Sequence, residues 1–183
     1  MPAYDEAANK FTRGRARLFV GSPRYPGAAC LAAVDSQRAG AGYTEVITDE
    51  AVVPRVQDYR ASLVVRPYTP DVLSQSNASY PCAYVVGCGT DGADPATAVT
   101  LLYVLENAHG PVVVDGGALT ALALPELREI AVQRAEEDTA FQLILTPHGG
   151  EAKRLAQPLG IASDAPNDFA AQLARAYKAV VVL

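Results

Sequence analysis

Residues 83–107, AYVVGCGTDGADPATAVTLLYVLEN, contain a strand, a turn and a helix in one stretch. Ala83 to Val86 is a short apolar run typical of a strand, and it leads directly into the glycine-rich turn GCGTDG. The run from Pro95 to Asn107 is typical of a helix, because Asp94 is a good N-cap residue and proline suits the first helical position. A buried strand that leads through a short turn into a helix is the repeating unit of α/β proteins.

The same alternation continues along the whole chain. The apolar runs are continuous, which predicts strands buried on both faces, as in a parallel sheet between two helix layers. The predicted fold class is therefore α/β with three layers, a mostly parallel central sheet and helices on both faces, in a single domain over residues 1–183. The polar stretch Arg66–Pro81 is predicted to be a lid or a surface excursion. The predicted strands are Arg17–Gly21, Tyr43–Thr48, Ser62–Val65, Ala83–Val86, Val112–Asp115, Gln142–Thr146 and Ala179–Leu183, and the predicted helices are Gly27–Arg38, Pro95–Asn107, Pro125–Glu137, Gly150–Leu155 and Asn167–Tyr177.

The composition argues against several classes of protein. The chain is 50% hydrophobic and 19% charged, which is too apolar for disorder, and its apolar runs are too short to span a bilayer. A net charge of −5 argues against nucleic-acid binding, which depends on clustered positive charge. No N-terminal segment has the apolar core of a signal peptide, so we expect a cytoplasmic protein.

The cysteines and the basic residues near the start have simple interpretations. Three cysteines without a CxxC pair or a Cys/His cluster argue against a disulfide framework and a zinc site, and each is expected to be a small buried hydrophobe. The basic cluster is expected to be a solvated approach to the first strand, with contact to an anion as the alternative. The cysteines are Cys30, Cys82 and Cys88, and the basic residues are Arg13, Arg15 and Arg17.

Glycines and polar residues collect directly after four predicted strands, at Gly21–Ser22, Gly87–Gly92, Asp115–Gly117 and Thr146–Glu151. The carboxyl ends of parallel strands meet at one edge of a sheet, so these four turns can build one crevice. Glycine-rich turns beside helix N-termini suit phosphate groups, because the backbone can approach closely and present amide donors. The GCGTDG turn alone is weak evidence, since a simple tight turn explains it equally well.

Two side chains in these turns are candidates for contact with a ligand, and each has a plain structural alternative. Asp115 ends an apolar strand, where it could face a substrate or a metal-bound phosphate, or cap the short helix that follows. His148 lies between a proline and two glycines, where it could contact a substrate or cap the next helix.

The ordered set of motifs resembles the ADP/ATP-dependent NAD(P)H-hydrate dehydratase family. GSPRYPGAACLAAVDSQRAGAGYTEVIT resembles the family's opening GS-x-x-Y-x-GAA…R-x-GAG pattern, and VVGCGTDGADPAT resembles its GPG-x-G turn with the helix after it. VVVDGGALTAL resembles its VLDADAL-x-x-L element, and LILTPHGGEAKRL resembles its LTPHPGE-x-x-RL element. All four occur in the family's order, from about Lys10 to Leu183.

The resemblance implies a ribokinase-like fold and the dehydration of hydrated, damaged NADH or NADPH back to the active cofactor. ADP or ATP is then consumed as co-substrate, with Mg2+ assisting, and the protein is expected to be a homo-oligomer, possibly a tetramer. Position by position, Ala28, Gly89 and His148 match the family's contacts to the hydrated dinucleotide. The residues expected near the nucleotide and its phosphates are Asp115, Gly87 and Glu151.

The chain also departs from the family pattern. Cys88 replaces the proline of the GPG-x-G turn, DGGAL replaces DADAL, and Gly149 replaces the proline of TPHPGE. The family's K-G-x-x-T nucleotide loop and its GSGD segment with the catalytic aspartate are expected beyond Leu183, so we expect a domain truncated on its C-terminal side that does not turn over alone. Two alternatives remain open: a small-molecule kinase on the same scaffold, or a degenerate nucleotide-binding module without catalysis.

Overall fold

The structure is a computed structural model that describes residues 7–69, 72, 81–137, 141–162 and 165–183. Strands and helices alternate along the chain in the described residues. The strands are β1 (Arg15–Phe19), β2 (Tyr43–Thr48), β3 (Val64–Pro67), β4 (Cys82–Val86), β5 (Val112–Val114), β6 (Leu143–Leu145) and β7 (Val180–Val181). The helices are α1 (Pro26–Arg38), α2 (Val53–Tyr59), α3 (Pro95–Asn107), α4 (Gly117–Leu122), α5 (Pro125–Glu137), α6 (Gly149–Ala156) and α7 (Pro166–Tyr177), with a 3-10 turn at Gln157–Leu159.

The strands form one sheet in the order β3-β2-β1-β4-β5-β6-β7, and every described pairing is parallel. The chain moves outward from β1 to β3, returns to the centre at β4, and then moves outward in the opposite direction to β7. The connections therefore diverge between β1 and β4, which is the topological switch point where open α/β sheets bind their ligands. The predicted class is confirmed, and the sheet is parallel throughout the described strands.

Two hydrophobic clusters pack on the sheet. The smaller cluster joins β1 and β2 to α1 and α2, with Leu18, Val46, Ala33 and Val56 at its centre. The larger cluster joins the strands to α3 through α7. Along β5 and β6 the middle residues Val113 and Ile144 are only half-buried, whereas their neighbours on the opposite face are fully buried.

The predicted strand boundaries are shifted at several places. The strand predicted from Arg17 begins two residues earlier, and the strand predicted at Ser62–Val65 runs from Val64 to Pro67 because that register pairs it with Glu45–Thr48 of β2. Pro67 is tolerated because β3 is the outermost described strand on its side, where a missing backbone donor is harmless. Most of the predicted excursion at Arg66–Pro81 lies outside the described residues, so that prediction stays open.

Helix α2 was not predicted. Its sequence VPRVQDY buries only Val56, so it carries no periodic apolar face that would reveal a helix of two turns. The short helix expected after Asp115 is present as α4. None of the helices in the described part of the chain is long and apolar enough to cross a membrane.

The prediction that the basic cluster is solvated is wrong for Arg17. This arginine is 3% exposed, and its Nε donates to Glu45 Oε2 at 2.8 Å, while Nη2 donates to the carbonyl of Val72 at 2.7 Å. Arg66 and Arg15 also face the Glu45 carboxylate, at 3.3 and 3.8 Å. The anion that this cluster meets is therefore an internal carboxylate on the adjacent strand, placed opposite Arg17 by the parallel register.

Candidate functional site

The turns after β1 and β4 meet at the switch point. The amide of Gly21 donates to the carbonyl of Cys88 at 2.8 Å, and the hydroxyl of Ser22 donates to the carbonyl of Gly89 at 2.7 Å. These bonds close the two turns against each other across the point where the strand order reverses. They leave a crevice at the carboxyl edge, as predicted from the positions of the glycines.

The turns after β5 and β6 continue the same edge. The amide of Gly117 donates to the carbonyl of Gly87 at 3.2 Å, and the hydroxyl of Thr146 donates to Asp115 Oδ1 at 3.0 Å. The four turns are therefore linked in the order of their strands, from β1 through β4 and β5 to β6. The prediction that they lie along one edge is confirmed.

Ala28 and Gly89 are in direct contact. Gly89 has φ +70°, a conformation that favours glycine, and a Cβ at this position would collide with the Cβ of Ala28 and lie 3.1 Å from the carbonyl oxygen of Tyr25. Helix α1 begins beside this contact, with Pro26 in its first turn and no side-chain cap. Two of the three residues expected to contact the dinucleotide therefore touch each other.

A cavity of about 550 Å³ opens next to this contact. It places Gly89 on one wall and Glu151 of α6 on another, so the β4 turn and the helix after β6 face one space. The charged side chains at its rim are Asp91, Glu151 and Arg154. The full lining is Tyr25, Gly89, Thr90, Asp91, Gly92, Ala93, Gly116, Gly117, Thr120, Glu151 and Arg154.

His148 caps α6, which confirms the structural alternative for this residue. Its Nδ1 accepts from the amide of Gly150 at 3.0 Å, and Glu151 accepts in return from the amide of His148 at 2.9 Å. With Nδ1 accepting, the ring proton is assigned to Nε2, which lies 3.5 Å from Glu151 Oε1. The imidazole is 71% exposed and lies next to Glu151, which lines the cavity. Capping therefore leaves the imidazole accessible to a ligand.

Asp115 does not cap the helix that follows, so that interpretation is wrong. The N-cap of α4 is Gly116, which has φ +53° and no side-chain bond to the helix. The Asp115 carboxylate instead accepts from Thr146 and lies beside the Cys88 thiol. Its partners come from the turns on both sides, which is unexpected from the sequence because both contacts cross between strands.

The three cysteines differ from one another. Cys30 is buried, as predicted, whereas Cys82 and Cys88 are only half-buried. Burial, followed by the negative charge of Asp115, raises the pKa of the Cys88 thiol to about 12. The thiol therefore stays protonated near neutral pH and is unsuited to act as a nucleophile.

A second cavity, of about 640 Å³, lies on the other side of the β4 turn. Tyr68 and Thr100 both line it, and burial raises the pKa of the Tyr68 hydroxyl well above its ordinary value. Asp49, at the carboxyl end of β2, adds negative charge next to this tyrosine. Sequence analysis did not single out these residues, although the rule that ligand groups follow strand ends points to Asp49.

Comparisons with known proteins agree with this architecture. The model of the NAD(P)H-hydrate dehydratase family matches residues 16–183. The bifunctional NAD(P)H-hydrate repair enzyme Nnr of Salinibacter ruber is 30% identical over 175 residues, which are 89% of this chain and 31% of that protein. A ribokinase-like superfamily protein from Enterococcus faecalis, 23% identical, has a TM-score of 0.76 over 99% of this chain and 61% of its own, which supports the ribokinase-like fold.

An ADP/ATP-dependent NAD(P)H-hydrate dehydratase from Bacillus subtilis, co-crystallized with ATP and Mg2+, is 28% identical. Its TM-score is 0.76, over 100% of this chain and 62% of its own. The chain spans between 30% and 62% of the length of the curated relatives compared with it. Because the family match extends over nearly the whole sequence and the fold agrees, the chain belongs to the NAD(P)H-hydrate dehydratase family.

Proposed function

We propose that this chain binds hydrated NADH or NADPH and forms the substrate-binding part of an ADP/ATP-dependent (S)-NAD(P)H-hydrate dehydratase. The observation that carries the proposal is the contact between Ala28 and Gly89 beside a cavity that Glu151 also lines. Two residues from motifs that lie far apart in the sequence, Gly89 and Glu151, thus face one cavity at the carboxyl edge of the sheet. His148 caps the helix that carries Glu151.

The chemistry requires that a poor leaving group become a good one. The hydroxyl on the hydrated nicotinamide ring leaves easily only after phosphorylation by the adenine nucleotide, and elimination then restores the reduced ring. The part of this chain is to bind and orient the dinucleotide: backbone amides of the glycine turns suit its phosphates, and His148 is a polar contact near the ring. Gly87 and Asp115 support the phosphate side of the same edge.

The described residues do not form a metal cage by themselves. Among them, no group of three or more His, Cys, Asp or Glu side chains is placed to hold a metal ion. Mg2+ usually binds through nucleotide phosphates with one or two carboxylates, and it would neutralise phosphoryl charge when bound.

The test separates binding from turnover. NADPH and hydrated NADPH are titrated into the chain by calorimetry, and turnover is followed as recovery of the reduced-cofactor absorbance with ADP or ATP and Mg2+. We expect binding of both dinucleotides and no recovery of absorbance by these 183 residues alone. The Bacillus subtilis dehydratase serves as the positive control for the turnover assay.

The competing functions give different results in the same assays. A phosphorylated small molecule that accumulates without elimination would indicate a kinase, and binding of adenine nucleotide without binding of the dinucleotide would indicate a degenerate module. Absence of binding for both NADPH and its hydrate would contradict the proposal.

The two roles of His148 can be separated by two substitutions. Asparagine is a good N-cap residue, so His148→Asn should keep the free energy of unfolding within a few tenths of a kcal/mol, whereas His148→Ala should lower it by about 1 kcal/mol. We expect both variants to lose NADPH affinity to a similar extent, because both remove the imidazole. Urea unfolding and calorimetry measure the two effects, and unchanged affinity in His148→Asn would reduce His148 to a helix cap.

The described sheet has exposed apolar side chains at its β7 side. Val180, Val182 and Leu183 are 58%, 58% and 48% exposed, so the sheet presents an apolar edge where a further strand could pair. The half-buried middle residues of β5 and β6 suggest that another layer covers that face of the sheet. A homo-oligomer and a cytoplasmic location stay predictions.

A further inference from the structure

We infer that Asp115 is a positioning residue whose carboxylate, held by Thr146 and lying beside Cys88, sets the separation between the turn of Gly89 and the turn of His148. This inference rests on the proposed function, because it concerns two residues expected to contact the dinucleotide. It assigns Asp115 a role that differs from a direct contact with phosphate or metal.

The contacts of the carboxylate come from the strands on both sides of β5. Thr146 follows β6, and its hydroxyl donates to Asp115 Oδ1 at 3.0 Å. Cys88 follows β4, and its thiol lies beside the same carboxylate. One side chain at the end of β5 therefore meets the turns after both neighbouring strands.

The positions of these partners in the sequence connect them to the ligand contacts. Cys88 immediately precedes Gly89, and Thr146 lies two residues before His148, with Pro147 between them. Proline restricts the backbone, so a displacement of Thr146 is passed on to His148. The two residues beside the carboxylate therefore lie one position from Gly89 and two positions from His148 in the sequence.

The backbone around Asp115 leaves little room for adjustment. A Cβ on Gly116 would meet the carbonyl oxygen of Gly87 at 2.7 Å and lie 3.6 Å from the Cα of Cys88. The Asp115 amide also donates to the carbonyl of Val86 at 3.0 Å. In so tight an arrangement, a change in the orientation of the carboxylate shifts the turns rather than being absorbed between them.

Cys88 occupies the position where the family pattern has proline. The pKa of its thiol is raised, so the thiol stays protonated beside the carboxylate over the neutral range. A proline would stiffen the turn from within, whereas the protonated thiol can contact the carboxylate at the end of the neighbouring strand.

The first test measures NADPH affinity by calorimetry in variants of the three residues. Asp115→Asn should weaken binding about ten-fold to a hundred-fold, and Thr146→Val about ten-fold, as expected for hydrogen bonds to a charged group. The double variant Asp115→Ala with Thr146→Val should bind no more weakly than Asp115→Ala alone, because each change removes the same hydrogen bond. Cys88→Ser should bind more tightly than Cys88→Ala, since only serine keeps a donor.

The matched control removes a hydroxyl at a distance from the site. Ser36 donates to the carbonyl of Ala33 at 2.9 Å and bonds Thr44 at 2.8 Å, between α1 and β2. Ser36→Ala should leave NADPH affinity within about two-fold of the wild type. Independent and fully additive losses for Asp115 and Thr146, or unchanged affinity in Asp115→Asn, would overturn the inference.

The second test does not depend on any ligand. Asp115→Asn removes the negative charge beside Cys88 and should lower the pKa of its thiol, so alkylation of Cys88 by iodoacetamide at pH 9 should quicken about ten-fold or more. Thr146→Val keeps the charge and should leave this rate within about two-fold of the wild type. General loosening of the site would speed up alkylation of Cys88 in both variants. Equal acceleration in Asp115→Asn and Thr146→Val would therefore overturn the inference.

Hydrogen exchange measured by mass spectrometry completes the second test. Asp115→Asn should increase amide exchange in the peptides that contain residues 87–91 and 146–150, although these belong to different strands. Exchange that rises in neither peptide would overturn the inference even if NADPH binds. A wild-type chain that fails to bind NADPH would instead contradict the proposed function, and exchange and alkylation would then decide the role of Asp115.

Discussion

The substitution Gly87→Ala is expected to lower the free energy of unfolding by about 2–6 kcal/mol and to abolish NADPH binding. Gly87 has φ +105°, a backbone conformation that residues other than glycine rarely adopt. A Cβ there would also collide with the carbonyl oxygen of Asp115 and with Ala118. The carbonyl oxygen of Asp115 is a backbone atom, so rotation of a side chain cannot relieve this collision. The turn after β4 would have to move away from β5, and Gly89 would move with it. Urea unfolding and calorimetry measure the two losses.

Gly149→Ala is the matched control for this prediction. Gly149 opens α6, and a Cβ built there meets no atom within 4 Å. Alanine favours helix formation over glycine by up to about 1 kcal/mol, so stability should be unchanged or slightly higher. If Gly87→Ala were as stable as Gly149→Ala, close packing of the β4 turn against β5 could not be the reason for glycine at position 87.

Most of the architecture follows from two local patterns. Apolar runs such as Val112–Val114 contain no polar interruption, which is sufficient to predict a buried parallel strand. Glycines directly after these runs mark the carboxyl ends, and parallel strands bring all carboxyl ends to one edge. The position of the crevice could therefore be predicted before any contact was known, and Gly21, Cys88 and Gly89 lie where expected.

The features that were missed depend on partners distant in the sequence. Arg17 is a charged residue inside β1, and its burial is possible only because the register places Glu45 opposite it. No local pattern reveals that pairing. Helix α2 was missed for a related reason, since a single buried residue, Val56, anchors it and the remaining contacts come from α1 and β3.

In the candidate site, too, local motifs could be predicted from the sequence, whereas contacts between strands could not. The residue types at Ala28, Gly89 and His148 could be read from motifs, and the cap made by His148 with Glu151 is local enough to be proposed from sequence. The hydrogen bonds of Asp115 connect neighbouring strands, so they depend on the order β4-β5-β6. Sequence identifies the carboxylate, but only the sheet order identifies its partners.

The substitution Glu45→Gln is expected to lower the free energy of unfolding by about 3–5 kcal/mol, the cost of leaving a buried charge without its partner. Glu45 is 3% exposed, and it is the carboxylate that faces Arg17, Arg15 and Arg66. Glutamine has nearly the same shape but no charge, so three guanidinium groups would remain close together with their repulsion uncompensated. Arg17 has the least access to water and contributes most of the expected loss.

Two further variants show whether buried charge is the cause. Asp35→Asn removes a carboxylate whose partner Arg38 lies 3.8 Å away on the exposed face of α1, and it should change stability by less than about 1 kcal/mol. The double variant Arg17→Met with Glu45→Leu removes both buried charges, and it should be more stable than Glu45→Gln alone despite changing more atoms. Arg15 and Arg66 are more exposed than Arg17, so they can recover hydration when Glu45 is lost. A double variant less stable than Glu45→Gln would show that shape and hydrogen bonding, rather than charge compensation, make Glu45 necessary in β2.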